Sequence, residues 1–345
     1  MISTKIVADS KNRQGDRLTT MLITFPRIIL AELNTHRMLS KNSASSRAIP
    51  FEKMVNAVRS SGFTPIAWQK DHKGMQGTEY FTDPEMQATL DIDWNMAKID
   101  AIERATLLHN SGVTKQYCNR MLEAYMMHTV LISGTEWENF FSLRCPQYQY
   151  QNSGPLYRSW NDLVNSIFKS GANRDVIDAL ENMSLIDRLK NNTGQAEIHM
   201  MTLAESMWDA YNASNPKELN SGEWHIPFED QIADDIPIKD RIKLATAMAA
   251  RTSYTIIGDE KIISNEKLIN IHDKMAKQDP FHASPFEHCA KVMTDEEYHN
   301  FVKGYRHMNG TVSIFNTEMT GWCRNFKGFI QYRYLLEVDN HFNVF

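Results

Sequence analysis

Pro26-Arg27-Ile28-Ile29-Leu30-Ala31-Glu32-Leu33-Asn34-Thr35-His36-Arg37-Met38-Leu39-Ser40-Lys41-Asn42-Ser43-Ala44-Ser45-Ser46-Arg47 joins an apolar run to a dense polar stretch. Pro26 fits the first position of a helix, where the missing N–H is one of the orphans anyway. The run from Ile28 to Leu33 carries that helix to about Met38, so His36 and Arg37 arrive at its C-terminal end, with a loop over 40–50 behind. An imidazole, guanidiniums, an amide and several hydroxyls then crowd into a few turns of backbone. Arginine forks grip phosphate or a carbonyl edge, and Ser and Asn side chains complete the fit, so the stretch suits a planar, anionic ligand rich in acceptors. A nucleotide is such a ligand. Plainer readings stay open: His and Arg at a helix C-terminus also suit the helix dipole, and Ser45 with Arg47 also suit a solvated loop.

Working outward, residues 3–8 and 17–25 read as strands around a turn at Gln14-Gly15-Asp16, being short and rich in Ile, Val, Leu and Thr. Helices are expected over 51–59, 93–110, 115–132, 196–213 and 265–277, with a small apolar segment at 244–250. Thr135 and Glu138 read as a capping box opening a short helix that Pro146 ends, and Ser284 and Glu287 read as a second box with Pro285 at its first position. Residues 63–92 lack periodicity and read as a long excursion, a lid. Within 146–194 one helical patch stands out, at 174–182. Residues 215–235 read as a loop, a strand is expected from Tyr305, and a last element over 326–337. No tandem repeat and no Pro/Gly/Ser linker divides the chain. The expectation is a single domain over 1–345, of α/β (α+β) class.

The chain has 345 residues, 37 Lys+Arg against 42 Asp+Glu, 19 Met and 4 Cys. The slight negative charge argues against a nucleic-acid coat or a membrane-surface protein. No apolar run reaches the roughly 18 residues of a membrane span, and Met1 to Asp9 lack a signal-peptide form, so the expected place is the cytoplasm. Cys118, Cys145, Cys289 and Cys323 form no CxxC pair and read as reduced thiols. His282, Glu287 and His288 lack a zinc spacing, and no metal is expected. Gly74-x-x-Gly77 is not followed by the Lys and Ser/Thr of a P-loop. No Cys–His nucleophile context and no G-x-S-x-G occurs. An enzyme with these residues would leave the hard chemistry to an organic cofactor.

Arg120 and Arg144 lie on or beside apolar helices. Each reads as a surface arginine snorkelling from a core helix, or as a guanidinium held for a phosphate or a pyrimidine carbonyl.

His36-Arg37-x4-Asn42-x2-Ser45-x-Arg47 resembles the signature of the flavin-dependent thymidylate synthases. Asn139-Phe140-Phe141-Ser142-Leu143-Arg144 and Gln195-Ala196-Glu197-Ile198 are similar to two further blocks of that family. Ala250-Arg251-Thr252-Ser253-Tyr254, Glu266-Lys267-Leu268-Ile269 and His282-Ala283-Ser284-Pro285-Phe286-Glu287-His288 resemble its opening blocks. Here those opening blocks follow the signature, so the chain looks circularly permuted. It also looks enlarged by insertions at about 60–92 and 148–194, as in long phage-encoded forms, whose Gly328-Phe329-Ile330-Gln331-Tyr332-Arg333 block it shares. There are departures: Thr35 stands for the signature's first Arg, Glu32 for a Gln, Ser43 for an acidic residue and Ala48 for a Tyr.

The resemblance implies the fold of thymidylate synthase-complementing proteins, an antiparallel or mixed sheet packed with helices, assembled as a homotetramer. It implies FAD as cofactor, with NADPH and methylenetetrahydrofolate as co-substrates for methylation of dUMP to dTMP. Carried over by position, His36, Arg37, Asn42, Asn139, Ser253, His282, Ser284 and Glu287 would contact the flavin. Ser45, Arg47 and Arg120 would hold the nucleotide phosphate, with Glu32 near the nucleotide. Arg144 would grip the uracil carbonyl and act in catalysis. Glu32 in place of Gln also admits a sibling chemistry, hydroxymethylation of dUMP or alkylation of dCMP. A non-catalytic flavin- or nucleotide-binding protein is the third reading.

Overall fold

Two long strands set the frame. In the computed structural model, which describes residues 1–73, 77, 79–150, 154–254, 263–279, 282–301 and 319–340, β1 (Ser3–Lys11) and β2 (Arg17–Pro26) pair antiparallel. Their turn is fixed by Asn12, whose side-chain oxygen accepts from Asp16 N at 2.8 Å, and by Gly15 at φ 92°. The chain then runs through a 3-10 turn (Arg27–Ile29), α1 (Leu30–Asn34), β3 (Ser40–Ser43), α2 (Phe51–Ser61), α3 (Pro84–Asn110), α4 (Lys115–Cys118), a 3-10 segment (Asn119–Tyr125) and β4 (Met127–Gly134). After α5 (Glu138–Arg144) come α6 (Trp160–Lys169), α7 (Arg174–Glu181), α8 (Leu185–Leu189) and α9 (Ile198–Ala213). The remainder is β5 (Lys217–Glu218), β6 (Trp224–His225), α10 (Ile238–Arg251), α11 (Asn265–Ala276), β7 (Ala290–Val292), α12 (Asp295–Asn300), β8 (Trp322–Cys323), β9 (Phe326–Lys327), β10 (Phe329–Gln331) and α13 (Tyr332–Asn340).

A five-stranded sheet, β3-β4-β2-β1-β5, is antiparallel except where β5 pairs parallel with β1. A three-stranded sheet, β10-β7-β6, and the pair β8-β9 complete the strands among the described residues. The class is mixed α+β. β2 alternates from Met21 to Phe25: Met21, Ile23 and Phe25 face a core shared with α1, β4, α5 and α9. Its other face carries Thr20, which starts a buried chain of hydrogen bonds. Thr20 Oγ1 meets Ser133 Oγ at 2.7 Å and His225 Nε2 at 2.8 Å. His225 Nδ1 meets Ser10 Oγ at 2.9 Å, and Ser133 Oγ meets His288 Nδ1 at 2.7 Å. This chain ties the large sheet to the small one.

Several expectations needed correction. The helix expected over 115–132 is α4, a 3-10 segment and then β4. Thr129, Val130 and Ile132 are β-branched, and from His128 onward β4, paired with β2 and β3, is buried on both faces, with Val130 and Ile132 in one core and Leu131 in another, so the alternation that marks a half-buried strand is missing. The loop expected from 40 is β3. The helix expected from Pro26 is the short pair of a 3-10 turn and α1. α3 starts at Pro84, capped by Asp83 accepting from Met86 N at 2.9 Å, and not at 93. The region 146–194 holds α6, α7 and α8, with α6 and α7 around their own core of Tyr148, Trp160, Leu163, Ile177 and Leu180.

Neither expected capping box forms. Trp137 is the N-cap of α5; Glu138 pairs with Arg158, and Thr135 Oγ1 accepts from Lys327 N at 3.1 Å. Ser284–Glu287 is a 3-10 turn capped by Ala283. A capping box does form at Thr294 with Glu297, on α12. The strand expected from Tyr305 lies largely outside the described residues. Among the described residues, no helix is long and apolar enough to cross a membrane.

Candidate functional site

Arg144 is the last residue of α5, where a cation suits the helix dipole. It sits there because Phe140 and Phe141 bury the other side of the helix at 1% and 2% exposure. Its fork turns to the end of α1. Nε donates to His36 Nε2 at 3.0 Å, Nη1 to Glu32 Oε2 at 3.3 Å, and Nη2 to Thr35 Oγ1 at 3.4 Å. Since Nε2 of His36 accepts, its ring proton is on Nδ1. The ring packs edge-on against Phe140 at 4.9 Å. Burial first, then the cations Arg144 and Lys41, bring the His36 pKa down to about 4, so the imidazole is neutral at pH 7. Burial pushes the Glu32 carboxyl up; Arg144 opposes that and Glu197 adds to it.

A second cluster forms on β3. Asn42 is 3% exposed. Its Nδ2 donates to Ala249 O at 2.5 Å and Thr252 Oγ1 at 2.8 Å. Its Oδ1 accepts from Ser284 Oγ at 3.0 Å and Ser253 Oγ at 3.4 Å. Ser45 joins through its backbone, donating to Ser253 O at 2.9 Å. One amide thus gathers the end of α10 and the Ser284 turn onto β3.

Lys41 lies between the two clusters. Its Nζ donates to His36 O at 2.6 Å and Leu39 O at 3.2 Å. Burial brings its pKa down to about 8, against the pull of Glu287. Glu287 accepts from Arg333 Nη1 at 2.5 Å. Arg37, Arg47, Arg120, Asn139 and His282 are exposed and have no side-chain partner among the described residues.

Sequence reasoning missed Lys41, Asn325, Gln331 and Arg333 as parts of this region. Asn325 Nδ2 donates to Met38 O at 2.9 Å and Ser40 Oγ at 3.0 Å, and Gln331 Nε2 to Asn325 Oδ1 at 2.7 Å. The signal for the last two was the Gly328–Arg333 block, noted without a role. Gly328 has φ 75°, and a Cβ there would run into Asn12 and Asp16. Glu197 is the N-cap of α9, accepting from His199 N at 2.8 Å and Met200 N at 3.0 Å. All four cysteines are buried and free; burial raises the Cys289 thiol to about 12 and Cys323 to about 11. Among the described residues, no group of three or more His, Cys, Asp or Glu is placed to hold a metal ion.

No model of a known protein family matches the chain, and no curated protein sequence matches it. Among solved structures, the chain is similar to the UMP/dUMP methylase PolB from Streptomyces cacaoi bound with 5-Br dUMP. The identity is 12% and the TM-score 0.37, over 56% of this chain and 65% of that one, so the chain spans a little under two thirds of that structure's length. It is also similar to PolB bound with 5-Br UMP, at 13% identity and TM-score 0.40, over 61% of this chain and 88% of that one. Likenesses this slight carry no argument about the reaction.

Proposed function

We propose that this chain is an enzyme modifying a pyrimidine nucleoside monophosphate, related to the flavin-dependent thymidylate synthases with their motif order permuted. Its reaction on this reading is methylation of dUMP to dTMP with methylenetetrahydrofolate and NADPH. One observation carries the reading. Blocks that resemble the family at distant points of the sequence meet in space: Arg144 on His36 and Glu32, and Asn42 on Ser253 and Ser284.

The residues fit a flavin in two ways. Arg37, Asn139 and His282 offer exposed, unpartnered polar groups that would hold it. Asn42, Ser253 and Ser284 are engaged with one another and would shape the surface beneath. When bound, FAD would carry reducing equivalents from NADPH to the transferred one-carbon unit. The chain's own part would be binding and polarisation. Ser45, Arg47 and Arg120 would meet the phosphate. The Arg144 guanidinium, oriented by Glu32, Thr35 and His36, would stabilise negative charge on the pyrimidine carbonyl oxygen. His36, neutral, would hold Arg144 without competing for the anion.

A homotetramer is part of the same reading. Ile92, Met96 and Ile99, spaced along one face of α3, are 61%, 54% and 45% exposed, an apolar row that a second copy would cover. A second chemistry is favoured by one contact, Glu32 beside Arg144 at 3.3 Å. A carboxylate there accepts from an amino group, as on cytosine, where Gln could both give and take.

The test is flavin retention with genetic rescue. Protein incubated with FAD and desalted should stay yellow, and the gene should rescue a thymidine-requiring bacterium. Retained flavin without rescue would favour the sibling chemistry. Colourless protein that takes up no FAD would overturn both.

A further inference from the structure

The block Gly328-Phe329-Ile330-Gln331-Tyr332-Arg333 takes no part in the reading of flavin or nucleotide, yet its last residue reaches Glu287. Gln331 of β10 pairs with Ala290 of β7, and Tyr332 N donates to Cys289 O at 2.9 Å. The Tyr332 ring stacks on His272 at 5.9 Å, and its hydroxyl meets His272 Nε2 at 3.1 Å. These contacts pin the start of α13 beside the Ser284–Glu287 turn, and Arg333 follows at once. Its Nη1 donates to Glu287 Oε1 at 2.5 Å, and its Nε to Glu337 Oε1 at 2.8 Å, one turn further along α13. Arg324, at φ 57° in the β8–β9 turn, donates to the other oxygen of Glu337.

A cation in the first turn of a helix works against the helix dipole. Arg333 therefore stands where its two carboxylates favour it and the local helix does not. The side chains of Arg333, Glu287 and Glu337 are 28%, 19% and 20% exposed, which limits screening by salt. One planar guanidinium reaches both carboxylates, so it fixes direction as well as charge. Among the described residues, Glu287 has one oxygen engaged, and Oε2 accepts no hydrogen bond. The carboxylate is also close enough to Lys41 to oppose the fall that burial imposes on its pKa, which puts it beside β3.

We infer that Arg333, backed by Glu337, is a positioning residue for Glu287: it holds Oε1, so that Oε2 is left to accept from a hydroxyl or ring N–H of the flavin. The inference rests on the flavin reading of Glu287 and gives the Gly328–Arg333 block its role.

The test is the dissociation constant for FAD, read from flavin fluorescence, in the full chain, in Arg333→Gln, in Glu287→Ala and in the double variant. Each single change should weaken binding by about tenfold. The double variant should lose no more than E287A alone, because Arg333 acts through Glu287. A merely structural ion pair would instead give losses that multiply, to about a hundredfold. That result, or wild-type affinity in folded R333Q, would overturn the proposal and leave the flavin reading in place. A wild-type chain that takes up no FAD would overturn both. If R333Q does not fold, Glu337→Gln decides the question: it should weaken binding about threefold in the wild-type chain and not at all in E287A. Equal losses in the two backgrounds, or none in either, would overturn the proposal.

Discussion

Arg144 is the residue on which the functional reading turns. Its three nitrogens are placed by three different side chains, so its orientation is set before any ligand arrives. Arg144→Ala should lower turnover by about two to three orders of magnitude, the range for loss of one oxyanion-stabilising donor, with the protein still folded. Arg144→Lys should recover little, because a point charge lacks the fork. Unchanged turnover in Arg144→Ala would remove the role assigned to it. Asn42→Ala acts on structure instead. It leaves Ala249 O, Thr252 and Ser284 without their shared partner, and should destabilise the fold by about 1–3 kcal/mol in urea unfolding. His36 and Arg37 are neighbours in sequence, yet His36 is 8% exposed and bonded to Arg144, while Arg37 is exposed and unpartnered. The residue types were legible in the sequence. Which of the two turns inward was not, because Phe140, the ring that receives His36, is on another element.

At the scale of elements, the β1–β2 hairpin, α2, α9 and α11 followed from local pattern, since each keeps one apolar face or a clear turn. β4 did not. Both of its faces lie in cores, Val130 and Ile132 against α5 and α9 and Leu131 against Val7, Phe228 and Ala249, so its uniform burial arises from partners far along the chain. Ile132, wholly buried, tests this placement: Ile132→Ala should cost about 2–5 kcal/mol of unfolding free energy. A surface-like loss of a few tenths would contradict it. The two expected capping boxes failed for one shared reason. Thr135, Glu138, Ser284 and Glu287 each have a tertiary partner that competes with the local cap: the Lys327 amide, Arg158, Asn42 and Arg333. α6 was missed because Asn, Ser and Gln surround it, although Trp160, Leu163 and Val164 form its buried face.

Across the whole molecule, buried neutral histidines make stability depend on pH. His128, His225 and His288 have pKa values brought down to about 3, by burial first, and His36 to about 4. Their folded values lie below the unfolded value near 6.5, so the unfolded chain takes up protons that the folded chain refuses. Their contribution is full above pH 6.5 and is lost as pH falls from there toward 3. Each ring removes about 1.4 kcal/mol per pH unit in that window. The urea midpoint should therefore fall clearly between pH 7 and pH 5; an unchanged midpoint would contradict the buried chain. The apolar row on α3 gives a test of assembly. Ile92→Arg with Ile99→Arg should reduce the mass seen by light scattering, and a wild-type protein already monomeric at working concentration would contradict the tetramer.

The most direct measurement is the mass of the product formed when the protein is incubated with FAD, NADPH, methylenetetrahydrofolate and each pyrimidine monophosphate in turn. A nucleotide heavier than dUMP by one methylene, formed from dUMP and lost in Arg144→Ala, is the predicted result. No mass change in any pyrimidine monophosphate, with the protein folded and FAD bound, would contradict the account.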